Sequence, residues 1–405
     1  MIYSIFHVVL SKALIFIASF IAAKFLSVSV LGEFSFYSTF IASFTILLNF
    51  GLNTYLNVSA KSIFKNEPDK IITIFKLVFI LSFLGSITAS LWAVFNQKKL
   101  IDESDIYLFL LVFFVIFFSA LNNAFESFLY SFGKYKKIAW NSLCAFIPSM
   151  LILYPAALYL ELNGIILTVL VNRFIALILN CKETYSIFNE KFFLLLFRIS
   201  ICFNFIKKAL IETGLPSFFS SLVVAPVLLV AFSIIKSLNN GSDILGYFAW
   251  PYQIFLVVTF IPSALTSYLL TKFSNETRKN ILFIKVSIAN FVFSSFFVSI
   301  LYLFKTEVLL LAGEDFLTYS STIYDLLLIA MVLHSINTAF GSYWFGVGAS
   351  WMGFISNLSW AIAVLMTVSI YISVDPILAL PVSLVISYLL MYLIQVIFFA
   401  KRVLK

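Results

Sequence analysis

Apolar runs of bilayer-spanning length follow one another almost from end to end of the chain, parted by short polar turns. A hydrocarbon core of about 30 Å needs roughly 20 apolar residues in a helix. Twelve stretches qualify: 5–26, 34–56, 72–95, 106–129, 139–160 and 165–180, then 209–235, 245–270, 281–304, 321–341, 354–371 and 377–400. Helix is the assignment throughout, because backbone exposed to lipid must satisfy its own hydrogen bonds.

The second six stretches echo the first. Asn122-Asn123-Ala124-Phe125-Glu126-Ser127, ending at Gly133, returns 215 positions later as Asn337-Thr338-Ala339-Phe340-Gly341-Ser342, ending at Gly348. Leu31-Gly32-Glu33-Phe34 returns at a shift of 214 as Leu245-Gly246-Tyr247-Phe248. Two separate matches at nearly one offset indicate a duplication, with lobes at 1–190 and 191–405. An even number of spans per lobe sets both lobes the same way up, the parallel-repeat plan of several transporters. The expected fold class is therefore all-α integral membrane, two six-helix lobes around a central cavity.

Composition agrees and adds orientation. Of 405 residues, 62% are hydrophobic and 11% charged, with a net charge of +8. In a soluble protein that charge would suggest nucleic acid; here it follows the positive-inside rule, and no nucleic-acid partner is expected. Nineteen of the 26 Lys and Arg fall on alternate connections, at 61–76, 134–137, 182–208, 272–285 and 401–405, while the other set holds most of the acids. The asymmetry puts both termini in the cytoplasm. The N-terminal run lacks a charged n-region and reads as a retained first span. Phe, at 49 residues, reads as lipid-facing surface rather than a binding stripe. Cys144, Cys181 and Cys202 have no metal spacing, and no P-loop, Gly-x-Ser-x-Gly elbow or HExxH occurs, so neither cofactor, metal nor enzymatic activity is expected.

Candidate chemistry lies where polarity is costly. Thr45, Asn49, Asn53 and Asn57 are spaced by four, as on one helix face, and 214 positions later stand Thr259, Ser263, Ser267 and Thr271. Such stripes either bond neighbouring helices or line a hydrated cleft. Glu126 is either a protonatable gate or an interfacial acid paired with Lys134 or Lys137. Arg173 sits near the middle of the sixth span, where an Arg costs about 2.5–3.5 kcal/mol and so faces a cavity or a partner. Lys12 either snorkels or joins a cationic cavity. Lys24 and Lys236 read as snorkelling, and His334 as a packing residue. Glu212 and Asp325 either couple ion movement or pair with a neighbour. Pro216, Pro226, Pro251 and Pro262 interrupt the seventh and eighth spans, while the first two have none.

Lys24-Phe25-Leu26, Leu31-Gly32-Glu33-Phe34-Ser35-Phe36-Tyr37 and Phe50-Gly51-Leu52, with the basic turn Gly133-Lys134-Tyr135-Lys136-Lys137, resemble a known pattern. So do Gly214-Leu215-Pro216 and Gly246-Tyr247-Phe248. It is that of the O-antigen (Wzx-type) flippases of the multidrug/oligosaccharidyl-lipid/polysaccharide superfamily. Ser35 stands where the family often has a second glycine, and Ser27-Val28-Ser29 where it often has glycine-proline. The resemblance implies a MATE-like fold in a bacterial inner membrane, and a substrate of undecaprenyl-diphosphate-linked oligosaccharide turned from the cytoplasmic to the outer leaflet. It also implies contact with membrane lipid and with polysaccharide polymerase machinery. On chemical grounds Lys12 and Arg173 would meet the diphosphate, and Asn49, Asn53, Ser263 and Ser267 the sugar. Two rivals stand beside this: a drug/cation antiporter of the same superfamily, which should show deep acids instead of Lys and Arg, and a membrane glycan polymerase, which should show a large outer loop.

Overall fold

The computed structural model describes residues 2–95, 103–188, 192–198, 202–266, 269, 273 and 277–403. Among the described residues every regular element is a helix, and ten helices are long and apolar enough to cross a membrane. The chain is a multi-pass membrane protein. It divides into two compact units, Met1–Ile21 with Tyr37–Pro226, and Ala22–Phe36 with Val227–Lys405.

The first unit takes α1 (Ile2–Phe25) as far as Ile21 and α2 (Val28–Leu48) from Tyr37. It continues through α3 (Leu52–Asn66), α4 (Pro68–Phe95), α5 (Glu103–Ser131), α6 (Tyr135–Ile187), α7 (Phe192–Arg198), α8 (Phe203–Ala209) and α9 (Leu215–Leu222). The expected second span is in fact two helices. Phe50 and Gly51 take φ of 44° and 70°, and Gly51 lies so close to the backbone of Gly214 that a methyl there would overlap it. Asn49 closes α2 by donating from Nδ2 to the Thr45 carbonyl at 2.7 Å, and its own carbonyl accepts from Leu52 N at 2.7 Å. Beyond the break α3 is amphipathic: Leu52, Tyr55, Leu56 and Ala60 are buried, while Asn57, Lys61 and Lys65 are exposed.

Phenylalanine does more than face lipid. Phe75, Phe125, Phe128, Phe188 and Phe192 form a buried core where α4, α5 and the end of α6 meet α7, with ring centroids 4.9 Å apart for Phe75–Phe125 and 5.2 Å for Phe188–Phe192. The fifth and sixth spans are the two legs of α6, which reverses at Glu161, where φ is 49° and ψ −125°. Gly164 sits against the Ala156 carbonyl with no room for a side chain. The seventh span is interrupted as its prolines suggest. A π-helical turn, Leu210–Gly214, leads into α9 with Pro216 in its first turn, and the helix lapses at Val223–Val224 before α10 (Ala225–Lys236).

The second unit holds α11 (Gly241–Ala264), α12 (Lys279–Leu303), α13 (Lys305–Leu310), α14 (Glu314–Tyr319), α15 (Ser321–Gly346), α16 (Ser350–Tyr371) and α17 (Ala379–Val403), together with Ala22–Phe36. Pro251 and Pro262 lie inside α11 without ending it. The duplicated Leu-Gly-x-Phe motifs meet here. Gly32 presses on the Ser242 carbonyl and the Gly246 nitrogen, and Gly246 presses on the Val28 carbonyl. Val28 and Ser242 are themselves 214 positions apart, so the contact is reciprocal, as a two-fold relation demands. Small residues allow this close crossing, and Leu31, Phe34, Leu245 and Phe248 are buried around it.

Candidate functional site

The first unit contains a buried cluster of charged and amide side chains supplied by α1, α5 and both legs of α6. His7 and Ser11 come from α1, Asn122 and Glu126 from α5 one turn apart, Asn141 and Ser142 from the first leg of α6, and Asn172, Arg173 and Asn180 from the second. Side chains so deep in an apolar bundle need partners, and the cluster supplies them in sequence. Glu126 Oε1 accepts from Asn122 Nδ2 at 2.7 Å, Asn122 Oδ1 from Asn180 Nδ2 at 2.9 Å, and Asn180 Oδ1 from Asn141 Nδ2 at 2.7 Å. Every donor in this chain points toward the carboxylate.

His7 completes the arrangement from the other side. Its Nδ1 is 2.5 Å from Ser142 Oγ and its Nε2 is 3.4 Å from Glu126 Oε2. The Ser142 hydroxyl already donates to the Ile138 carbonyl at 2.9 Å, and a hydroxyl has one proton to give. The geometry therefore places an N–H on His7 Nδ1. Nε2 then faces the Glu126 carboxylate. Side-chain exposures of 10% and 12% leave this contact little water. Arg173 lines the same cavity and interacts electrostatically with Glu126. Space for the centre of a water molecule is about 10 Å3, roughly what one bound water needs. Lys12 is exposed beside the cavity and within electrostatic reach of Arg173.

The structure thus brings together Glu126, Arg173 and Lys12 but gives Glu126 a partner other than the basic turn: Lys137 Nζ sits 3.0 Å from Glu183 instead. His7 was not legible as a site residue. It lies 135 positions from Ser142, and its one local signal is the polar pair His7–Ser11, four apart in an apolar run. Asn49 and Asn53 flank the α2–α3 break, so the expected stripe is not one helix face; Asn49 Oδ1 and Asn53 Oδ1 are buried without a hydrogen-bond partner. Thr259 and Ser263 donate to the carbonyls of Phe255 and Thr259, each at 2.8 Å, within α11. Ser267 and Thr271 lie outside the described residues, as does the side chain of Glu212 in the π-helical turn.

In the second unit Asp325 pairs with Lys305 at 2.6 Å. His334 packs against the rings of Phe255 and Tyr388, at 5.6 and 5.0 Å. Lys24 is exposed, and Lys236 lies over the Phe36 ring at 4.3 Å. The charged cluster has no charged counterpart one repeat on: 215 positions after Glu126 and Arg173 stand Gly341 and Tyr388. Asn337, the equivalent of Asn122, donates to the Tyr388 carbonyl at 3.0 Å. Among the described residues no group of three His, Cys, Asp or Glu is placed to hold a metal.

No family model matches the sequence, and no curated protein matches it. Solved structures do. The lipid II flippase MurJ in an inward closed conformation superposes with a TM-score of 0.77 at 13% identity, covering 99% of this chain and 88% of that one. An inward-facing multidrug resistance MATE family transporter of the MOP superfamily gives 0.74 at 14% identity, covering 96% and 94%. The eukaryotic MATE transporter AtDTX14 gives 0.71 at 14% identity, covering 98% and 93%. The all-helical fold expected from the apolar runs, and its MATE-like form implied by the family resemblance, is thus the fold observed.

Proposed function

We propose that this chain is a flippase that moves an undecaprenyl-diphosphate-linked oligosaccharide, an O-antigen or capsule repeat unit, from the cytoplasmic to the outer leaflet by alternating access. The observation that carries this reading is the charge balance of the cluster in the first unit. Lys12 and Arg173 stand there against the single acid Glu126. A diphosphate requires cations where the dielectric is low, and charge-assisted hydrogen bonds to phosphate are the strong ones. A drug/cation antiporter requires the opposite excess. That a lipid II flippase shares the fold adds support.

Roles follow from access. Lys12, exposed beside the cavity, is the group that meets the diphosphate, and Arg173 behind it raises the local positive potential. The cavity itself admits about one water, so it handles a proton and not a headgroup. Glu126, which faces His7 Nε2 at 3.4 Å and lies within electrostatic reach of Arg173, is the coupling group. Asn49, Asn53, Ser263 and Ser267 are assigned to sugar hydroxyls. Glu212 stays a coupling candidate, whereas Asp325 is engaged by Lys305. On this reading the protein works in a bacterial inner membrane with both termini cytoplasmic, and passes its product to polysaccharide polymerase machinery.

The test is complementation of a flippase-null strain, scored for surface polysaccharide at matched membrane abundance. Lys12→Ala and Arg173→Ala should each lower export, and wild-type export by both would refute the cationic role. Vesicles containing the purified chain should move labelled lipid-linked sugar faster under a pH gradient. Glu126→Gln should abolish that acceleration.

A further inference from the structure

The second unit carries a groove of about 630 Å3 along the seam of α12 and α15, within the size range of ligand pockets. Its wall is apolar, with Val298, Leu328, Ile329, Val332 and Leu333, and Asp325 stands at one end. The seam is tied on both sides of the groove. Tyr324 Oη donates to the Leu301 carbonyl and Asn290 Nδ2 to the Ser335 carbonyl, each at 3.0 Å. The furrow is thus a fixed feature of two packed membrane helices, open on the side where Ile329 is half exposed.

Its dimensions fit one lipid chain. Asp325 and Leu333 are eight residues apart on α15, about 12 Å along the axis at 1.5 Å per residue. One leaflet of hydrocarbon is roughly 15 Å deep, half of the full core. The polar end coincides with the helix ends: Lys305 opens α13 directly after α12, and its Nζ is 2.6 Å from Asp325 Oδ2. The Asp325 side chain keeps 43% of its surface exposed, so its carboxylate remains open to a second donor. The Lys305 ammonium has two further N–H groups to offer. The pair carries no net charge, so it complements a headgroup that also carries a phosphate and an ammonium. A purely anionic headgroup would face the carboxylate unbalanced.

We propose that this groove binds one acyl chain of a zwitterionic aminophospholipid, with the phosphate on Lys305 and the ammonium on the exposed part of the Asp325 carboxylate. The site shares no residue with the cationic cluster of the first unit, and its test does not depend on transport. The purified full chain, delipidated in mild detergent, is titrated with phosphatidylethanolamine, phosphatidylcholine or phosphatidylglycerol, and intact complexes are weighed by mass spectrometry. Phosphatidylethanolamine should bind about tenfold more tightly than phosphatidylglycerol, a difference of 1.4 kcal/mol, and more tightly than phosphatidylcholine, whose ammonium lacks N–H donors. Ile329→Trp should fill the furrow and remove the preference while lipid-free melting stays at the wild-type temperature. Leu333→Trp, at the deep end, repeats the test should Ile329→Trp not fold. Exchanging the pair (Lys305→Asp with Asp325→Lys) should retain it. Equal retention of the three lipids, or a preference untouched by the Trp variants, would overturn the proposal.

Discussion

The crossing of α2 and α11 makes a demanding prediction, because the same substitution should have opposite signs at two positions. A methyl at Gly32 would enter the Ser242 carbonyl and the Gly246 nitrogen, both backbone atoms that no rotamer change can move aside. Overpacking of this kind costs about 1–3 kcal/mol, and the rigid obstacle argues for the upper end. Helix propensity returns about 1 kcal/mol on replacing Gly by Ala, leaving Gly32→Ala destabilised by about 2 kcal/mol, a factor of about thirty in the unfolding equilibrium. Gly246→Ala, which meets the Val28 carbonyl, should cost the same. Gly341 lies inside α15 with nothing within 4 Å of a new methyl; Gly341→Ala should therefore stabilise by up to about 1 kcal/mol. The double variant Gly32→Ala/Gly246→Ala should cost less than the sum, since one separation of the two helices relieves both clashes. Reversible unfolding in detergent, followed by near-ultraviolet circular dichroism, reads all four. Additivity within about 0.5 kcal/mol, or equal shifts for Gly32→Ala and Gly341→Ala, would refute the close-crossing argument.

Three further outcomes follow from the first unit. Glu161→Gly should raise the unfolding midpoint, because Glu161 holds a φ of 49° with ψ of −125° that costs a side-chain-bearing residue about 1–3 kcal/mol; thermal denaturation checks it. Asn180→Leu should destabilise by about 1–3 kcal/mol by leaving Asn122 Oδ1 and Asn141 Nδ2 buried without their partners, seen as faster amide exchange in both legs of α6. His7→Ala should be more destabilising than His7→Ala combined with Glu126→Gln, because the single change leaves a buried carboxylate short of one partner. A double variant worse than the single would show that the two side chains act independently.

How much of this was legible in sequence depends on whether the determinant was local. The all-helical, membrane-spanning character was, because lipid imposes a length and a polarity on every crossing; among the described residues ten helices, against the twelve expected, are long and apolar enough to cross. The recurrence of Leu31-Gly32 as Leu245-Gly246 even marked the residues that touch. The interruption of the seventh span could be read from Pro226, which a helix tolerates in its first turn but not in its interior, so that a new helix begins there. The break at Phe50-Gly51 was hidden, because polar spacing of four continues through it and only the close backbone of Gly214 requires the turn. Glu126 and Arg173 stood out as costly in hydrocarbon, but their partners did not. The His7, Ser142 and Asn180 contacts join helices far apart in the chain, and no periodicity encodes which helix a side chain will face.

The glycine crossing also bears on ancestry. Residue 28 of one copy meets 246 of the other, and 242 meets 32. Two copies of one half-length chain related by a two-fold axis would make the same reciprocal contact. A half-length progenitor would have owned this self-complementary seam before the fusion, and two separately expressed halves of the present chain would still possess the surface on which to find each other.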